Sequence, residues 1–200
     1  MNTFHALLFR QKYIKRWSLM RNTTSESLAE HSAQTAMLAH TLALIGNRHY
    51  KRSYNADRAA TLALFHDACE VYTGDMPTPV KYFDAAMREH YSKIEEAAKE
   101  KLLSNLPEEF RGVYGEIFDG TAQGDEELLP LVKAADKLCA YIKCVEEQKS
   151  GNNEFDTAKK ALGKVIDTMN CPELAWFMDN LLEGFGKTID ELQGEQDELS

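Results

Sequence analysis

The chain has 200 residues, 44% of them hydrophobic and 28% charged, which is the balance of an ordinary soluble protein with a single domain. Its 23 basic and 32 acidic residues give a formal charge of −9, so it is a poor general binder of nucleic acid, which needs cationic contacts with the phosphate backbone. No apolar run approaches the roughly 20 residues that cross a bilayer, so we expect no membrane partner.

The first predicted helix covers about residues 4–17. No acidic residue precedes Glu26, and the basic residues of this region are Arg10, Lys12, Lys15, Arg16 and Arg21. Most of them fit a solvated helix face, whereas a local anion site is the sharper alternative. Because these charges follow the short apolar stretch and no cleavage site comes after them, we expect no signal peptide and a cytoplasmic location. The four cysteines are then reduced thiols.

A second helix is predicted from about Ser27 to Ile45, with Gly46-Asn47 as its stop. Two segments fit the capping box S/T-x-x-E: Thr23 with Glu26, just before the helix, and Ser27 with Glu30, at its start. One face of the helix carries the stripe His31, Thr35, Leu38, Leu42 and Ile45. The stripe turns His31 inward, where a histidine is either an ordinary core residue or a metal ligand.

A third helix is predicted from about Asn55 to Tyr72 and must end before the segment 74–79, which contains one glycine and two prolines. It places His66 and Asp67 inside an apolar run, although Asp is rarely buried without a partner. Glu70 follows at helical spacing, so that all three side chains face one cavity. The alternative is that Asp67 only caps a neighbouring element or pairs with a lysine.

Further helices are predicted near 84–104, 107–118, 128–149, 154–169 and 172–184. Asp136 lies on the apolar side of the helix 128–149, where an ion pair with Lys133 or Lys137 is the alternative to ligation. The apolar helix 172–184 either completes the core or forms a dimer contact. We expect one domain over residues 1–192 and an acidic disordered tail over 193–200.

Two histidines and two aspartates from three separate helices suit a divalent metal ion in a helical core. A hard or borderline ion accepts mixed nitrogen and oxygen ligands, and two carboxylates neutralise its charge. Coordination positions left open by the protein would accept water and a substrate oxygen.

The order His31, His66-Asp67 and Asp136 on successive helices resembles the HD-domain metal phosphohydrolases. More narrowly, the chain is similar to the bacterial YfbR-type 5'-deoxynucleotidases. The segments that carry this resemblance are Arg16-Trp17, Glu30-His31-Ser32, HDACE (66–70), GDMPTPVKYF (74–83), KAADKLCAYIKC (133–144) and GNNEF (151–155).

The resemblance implies a compact all-α HD-domain bundle that binds one divalent ion, such as Co or Mn, and assembles as a homodimer. The implied metal ligands are His31, His66, Asp67 and Asp136, and three of these, His31, Asp67 and Asp136, also border the substrate. The implied reaction is hydrolysis of deoxyribonucleoside 5'-monophosphates to deoxynucleoside and phosphate.

The resemblance also implies roles for residues outside the metal cluster. Arg16, Glu70 and Asp75 are catalytic, and Arg16 orients the phosphate. The substrate contacts are Arg16, Trp17, Asp75, Met76, Pro77 and Thr78. Each residue has a plainer alternative: a surface cation for Arg16, a core anchor for Trp17, an ordinary turn for the loop, and orientation of a ligand histidine for Glu70.

Three competing functions remain open at this point. The first is another HD phosphohydrolase, acting on a nucleoside triphosphate, an alarmone or a cyclic nucleotide. The second is a nucleotide-binding module without turnover. The third is an HD-type di-iron oxygenase, for which His40 and His90 are the spare histidines that fall on predicted helices.

Overall fold

The computed structural model describes residues 2–81 and 83–194, with the side chain of Thr78 left out. Within those ranges every regular element is helical, apart from an isolated antiparallel bridge between Lys15 and Ser27. The all-α prediction is therefore confirmed. None of the described helices combines the length and apolar character needed to cross a membrane.

The α-helices of the described residues are α1 (Phe4–Leu8), α2 (Leu28–His49), α3 (Ala56–Phe65), α4 (Glu70–Thr73), α5 (Thr78–Lys81), α6 (Ala85–Leu103), α7 (Glu108–Asp119), α8 (Asp125–Lys149), α9 (Asp156–Thr168), α10 (Pro172–Asn180) and α11 (Ile189–Gly194). Short 3₁₀ turns cover Phe9–Tyr13, Asn153–Phe155 and Leu182–Gly186.

Two groups of buried apolar side chains hold these helices together. The larger one joins α2, α3 and α8 and includes Leu42, Leu62 and Leu138. The smaller one joins α1, α6 and the turn after α3, and it includes Phe4, Ala68 and Leu102. The His66-Asp67 pair follows the last α3 residue of the first group and precedes Ala68 of the second, so packing fixes the chain on both sides of it.

The predicted stripe of α2 is confirmed, because all five of its residues are buried. The capping box of Ser27 and Glu30 is present: Ser27 Oγ accepts from the Glu30 N–H, and the Glu30 carboxylate accepts from the Ser27 N–H. The predicted stop at Gly46 is wrong, since α2 continues to His49. A Cβ on Gly46 would lie 2.7 Å from the Tyr54 ring, so this glycine serves close packing.

The first predicted helix is also corrected. Helix α1 ends at Leu8, a 3₁₀ turn follows to Tyr13, and Ile14 is extended. The reason is a pairing that local periodicity does not reveal. The N–H of Arg16 donates to the Glu26 carbonyl at 3.0 Å, and the N–H of Leu28 donates to the Ile14 carbonyl at 2.9 Å.

The third predicted helix is broken at its most polar point. Helix α3 ends at Phe65 and α4 begins at Glu70. The ring Nδ1 of His66 lies 2.6 Å from the Ala63 carbonyl, the acceptor that a continuing helix would give to the Asp67 N–H. A side chain thus takes the place of a backbone donor, and the chain turns through residues 66–69.

The five later helices begin and end within about three residues of the predicted limits, except that α10 stops at Asn180 and the 3₁₀ turn Leu182–Gly186 follows. On α10, Leu174 and Phe177 are buried in the larger core group, so this helix completes the core. The predicted tail over 193–200 overlaps α11, which includes Gln193 and Gly194, and residues 195–200 lie outside the described ranges.

Candidate active site

His31 and His66 face each other across the space between α2 and the turn after α3. Their ring centroids are 5.3 Å apart. His31 is fully buried in the first turn of α2, one turn before Thr35. Because a carbonyl only accepts, His66 Nδ1 must donate to Ala63, which leaves His66 Nε2 unprotonated in the neutral ring. That Nε2 is buried and makes no well-aligned hydrogen bond, although the Asp67 carboxylate lies 3.0 Å away.

Two aspartates complete the cluster. His31 Nε2 lies 3.3 Å from Asp136 Oδ1 and 3.6 Å from Asp67 Oδ2. His66 Nε2 lies 3.0 Å from Asp67 Oδ2 and 4.0 Å from Asp136 Oδ1. Four potential ligand atoms from α2, the turn after α3 and α8 therefore converge on one point.

The charges around this point call for a cation. Burial alone raises the pKa of Asp136 and of Asp67, but the neighbouring histidines outweigh it and lower both, with Lys137 adding to the effect on Asp136. Burial lowers the pKa of His66, yet Asp67 and Asp136 raise it to about 9. A positive charge is therefore favoured between His66 and the two carboxylates, and the mixed nitrogen and oxygen donors fit a divalent ion well.

The ion-pair alternative for Asp136 is only part of its environment. Lys137 Nζ lies 2.8 Å from Asp136 Oδ2, while Oδ1 faces the histidines. A carboxylate has enough acceptor positions for both partners. The lysine contact therefore leaves Asp136 available as a ligand.

Arg16 lies at the edge of the cluster with its guanidinium group 11% exposed. Its Nη1 is 3.8 Å from Asp67 Oδ2 and 3.6 Å from Asp75 Oδ1, and its Nε is 3.3 Å from Glu26 Oε2. Burial lowers the pKa of Arg16, but these carboxylates outweigh burial, so the pKa lies above its ordinary value. A permanently charged fork in this position suits a phosphoryl group.

Trp17 follows in a conformation unusual for a large side chain. Its φ is +55°, in the left-handed region, which costs on the order of 1–2 kcal/mol. The indole Nε1–H donates to Glu26 Oε2 at 2.8 Å, and the ring meets Phe155 edge-on at 5.3 Å. These contacts hold the ring beside Arg16.

Helix α4 and the loop after it carry the remaining predicted residues and bring Glu70 and Asp75 towards Arg16. Glu70 is 7% exposed, and its Oε2 is buried without a partner. Burial, together with Asp67 and Asp75, raises the pKa of Glu70 to about 8. Gly74, with φ +71°, ends α4 and turns the chain towards Asp75. Met76 and Pro77 are half-buried in this loop, and the side chain of Thr78 lies outside the described atoms.

Glu26 is a residue of this site that sequence reasoning missed. The predicted capping box of Thr23 and Glu26 is wrong, because the Thr23 N–H donates to Glu147 and the Glu26 carboxylate binds Arg16 and Trp17. The only signal in the sequence was that Glu26 is the first acid after a basic stretch.

The GNNEF segment supports the chain that carries Arg16 and Trp17. Phe155 contacts the Trp17 ring, Asn152 donates to the Arg21 carbonyl, and Glu154 pairs with Arg21 at 2.7 Å. Buried Glu147 adds hydrogen bonds from Lys143, Asn152 and the Thr23 N–H.

We expect Glu147→Gln to destabilise the fold in a pH-dependent way. Burial raises the pKa of Glu147, but Lys143, Asn152 and Thr23 outweigh it and lower the value to about 2, against 4.5 in the unfolded chain. The charged form therefore contributes about 3 kcal/mol above pH 4.5, and this is lost as the pH falls towards 2. Urea unfolding of both proteins at several pH values measures the difference.

The exposed neighbour Glu146 provides the control, because Glu146→Gln removes the same charge without breaking this network. A stability difference between Glu147→Gln and the parent that stays constant from pH 7 to pH 3 contradicts the interpretation.

The spare histidines of the oxygenase alternative lie elsewhere. His40 Nε2 is 3.5 Å from Asp57 at the start of α3, and both side chains are exposed. His90 is exposed on α6 and contacts the Ala86 carbonyl of its own helix. Neither adds a ligand to the cluster, so the structure does not support a di-iron centre.

The helical fold and its cluster of His31, His66-Asp67 and Asp136 are the features of the class of HD-domain phosphohydrolases. An HD-domain phosphohydrolase from Listeria innocua superposes with a TM-score of 0.75 at 22% identity, covering 92% of this chain and 88% of that one. The cyanophage S-2L HD phosphohydrolase DatZ was solved with dA and one catalytic Zn²⁺ ion. It superposes with a TM-score of 0.64 at 20% identity, covering 90% of this chain and 96% of that one.

Sequence similarity narrows the class. The family model for YfbR-like 5'-deoxynucleotidases matches residues 3–185. A 5'-deoxynucleotidase of Photobacterium profundum is 48% identical over 94% of this chain and 97% of its own. The 5'-deoxynucleotidase YfbR of Escherichia coli K12 is 47% identical over 94% of both. The chain belongs to the YfbR-like 5'-deoxynucleotidase family, which confirms the resemblance found in its motifs.

Proposed function

We propose that this protein is a metal-dependent phosphomonoesterase that hydrolyses deoxyribonucleoside 5'-monophosphates to deoxynucleosides and phosphate. Two relatives that match this chain over almost their whole length, with 47–48% identity, are 5'-deoxynucleotidases. The observation that carries the proposal is the Arg16 guanidinium, 3.8 Å from a carboxylate of the four-residue cluster. One guanidinium fork beside one metal site matches a single phosphate group better than a triphosphate.

The residues proposed to hold the ion are His31, His66, Asp67 and Asp136. When bound there, a divalent ion such as Co, Mn or Zn supplies Lewis-acid activation of water and of phosphoryl oxygens. His66 is kept in the correct tautomer by its bond to Ala63, and Asp136 is held by Lys137. His31, Asp67 and Asp136 also form the wall against which the phosphate would lie.

Arg16 binds the phosphoryl oxygens and offsets the charge that develops during transfer. Asp75 lies 3.6 Å from Arg16 Nη1 and orients the guanidinium until substrate arrives. Glu70 is buried with one free oxygen and a pKa raised to about 8, so it both accepts and donates a proton near neutral pH. We assign it the transfer of protons between the attacking water and the 5' leaving oxygen, with Asp75 as the second candidate.

Trp17 and the loop of Asp75, Met76, Pro77 and Thr78 are assigned to the nucleoside. An indole face offers no hydrogen-bond partner to a 2'-hydroxyl, so deoxyribose is preferred. Apolar contact rejects an added hydroxyl only modestly, on the order of a hundredfold. Measurable hydrolysis of ribonucleotides is therefore expected.

The direct test is phosphate release by metal-stripped protein from dAMP, AMP and dATP, with Co, Mn, Mg or Zn added separately. We expect release from dAMP above AMP that depends on one of these ions. Consumption of dATP alone favours a triphosphatase, and nucleotide binding without product favours a module without turnover. Either result overturns the proposal.

We also propose a cytoplasmic location and a homodimer, without nucleic-acid or membrane partners. The four free cysteines suit a reducing compartment. The dimer follows from the family resemblance, and the α10 side chains Leu174 and Phe177 do not contribute to it, because they lie in the core. Light scattering of the metal-loaded protein gives the mass directly, and a mass near 22.7 kDa contradicts the dimer.

A further inference from the structure

We infer that Glu26 is the positioning residue that couples phosphate recognition to sugar recognition in this site. The inference rests on the proposed function for its meaning and on the geometry of Glu26 for its support. A single carboxylate oxygen, Oε2, lies 3.3 Å from Arg16 Nε and 2.8 Å from Trp17 Nε1. The residues assigned to phosphate and to deoxyribose are therefore held by the same atom.

Burial makes the loss of either hydrogen bond to Glu26 costly. The side chain of Glu26 is 8% exposed and that of Arg16 is 11% exposed, so little water is available to replace a lost bond. A buried donor without an acceptor is costly, and bonds to a charged acceptor are stronger than neutral ones. If Glu26 lost its carboxylate, both donors would seek other partners, and the nearest for Arg16 are Asp67 and Asp75 of the site itself.

The backbone adds a second connection. The Arg16 N–H donates to the Glu26 carbonyl at 3.0 Å, and residues 15 and 27 form the isolated bridge. Ser27 then caps α2, whose first turn carries His31. Glu26 thus lies between helix α2, which carries His31, and the segment of Arg16 and Trp17. It is joined to α2 through Ser27, and to the segment by three hydrogen bonds, two from its carboxylate and one from its carbonyl.

The conformation of Trp17 explains why such a tether is needed. A left-handed φ of +55° is unfavourable for a bulky residue and persists only where surrounding contacts impose it. The Trp17 carbonyl accepts from the Met20 N–H at 2.9 Å and from Asn22 Nδ2 at 3.1 Å, which fixes the turn. On that turn, the bond to Glu26 and the edge of Phe155 fix the position of the indole ring. Releasing the bond frees the ring that faces the sugar, so deoxyribose selectivity falls along with phosphate affinity.

The test compares Glu26→Ala, Glu26→Gln and Trp17→Phe. The amide oxygen of Gln keeps an acceptor for both donors, Ala removes it, and Phe keeps a ring without the N–H. For Glu26→Ala we expect about a tenfold fall in the dAMP to AMP ratio of kcat/KM and about a tenfold weaker inhibition by inorganic phosphate. We expect Glu26→Gln to retain most of the preference for dAMP and most of the inhibition by phosphate. Trp17→Phe reproduces the loss of selectivity but not the loss of phosphate affinity.

A readout without turnover separates this inference from the proposed function. The chain has two tryptophans, and Trp176 stacks on His49 at 4.6 Å, in another part of the molecule. In a Trp176→Phe background, Trp17 is the single tryptophan of the metal-loaded protein, and excitation that is selective for tryptophan reports on it alone. We expect Glu26→Ala to shift and broaden its emission and to weaken the response to added phosphate, whereas Glu26→Gln stays close to the parent.

Unchanged Trp17 emission, sugar ratio and phosphate affinity in a folded Glu26→Ala protein overturn the inference. A lower melting temperature with no change in the ratio or in phosphate affinity also overturns it, because Glu26 is then only structural. If Glu26→Ala does not fold, the comparison of Glu26→Gln with Trp17→Phe decides, and equal losses of selectivity contradict the tether. If the parent hydrolyses no nucleotide, the proposed function fails while the fluorescence result still stands.

Discussion

Replacing Asp67 with alanine is expected to abolish metal binding and to lower kcat/KM for dAMP by about a thousandfold or more. Asp67 Oδ2 lies within 3.6 Å of Nε2 of both His31 and His66 and 3.8 Å from Arg16 Nη1. One oxygen therefore links the proposed metal site to the proposed phosphate site. Metal content after dialysis against Mn or Co, measured by mass spectrometry, and phosphate release from dAMP are the two measurements.

The matched control for Asp67 is Asp57→Ala. Asp57 is 96% exposed at the start of α3 and pairs only with His40 among the described ion pairs, so its loss removes the same charge without touching the cluster. We expect this control to keep its metal and its activity. Retention of stoichiometric metal by folded Asp67→Ala contradicts the proposed ligand set.

The parts of the fold that the sequence predicted are those set by neighbours along one helix. The Ser27 and Glu30 capping box and the apolar stripe that begins at His31 involve residues only three or four positions apart. Such patterns survive folding because the helix itself brings their members together. The ends of α6 and α8 were predicted almost as well for the same reason.

The break at His66 was not predictable from periodicity. The run from Leu62 to Val71 reads as a continuous helix, and nothing in its pattern shows that the His66 ring takes the Ala63 carbonyl. This single contact both ends α3 and orients Nε2 of His66. The contact that suits His66 to its proposed role as a ligand is therefore one that the helical pattern does not reveal.

The surroundings of Arg16 and Trp17 depend on contacts across the whole chain. Thr23 is held by Glu147, 124 residues further on, and Trp17 packs against Phe155. A helical wheel of residues 4–17 contains none of this information. Glu26 was missed because its partners lie ten and nine residues away across an irregular turn, a spacing typical of no regular element.

Glu70→Gln is expected to lower kcat for dAMP by about 10²–10⁴-fold while KM and metal content change little. The amide has the shape of the carboxyl group but cannot exchange a proton. In the chain without a bound ion, burial, Asp67 and Asp75 raise the pKa of Glu70 to about 8, and a divalent ion on Asp67 would draw it back towards neutrality. Steady-state kinetics with dAMP, together with metal analysis, measure the effect.

Glu173→Gln is a close control for Glu70, because Glu173 is also a buried glutamate with one oxygen that lacks a hydrogen bond. It lies on α10, next to Gly46 and Arg52 and outside the metal cluster. An equal loss of kcat in both variants would show only that a buried charge had been disturbed. Full kcat in Glu70→Gln would remove Glu70 from the chemistry, and Asp75→Asn would then have to produce the loss, since Asp75 is the other carboxylate assigned to proton transfer beside Arg16.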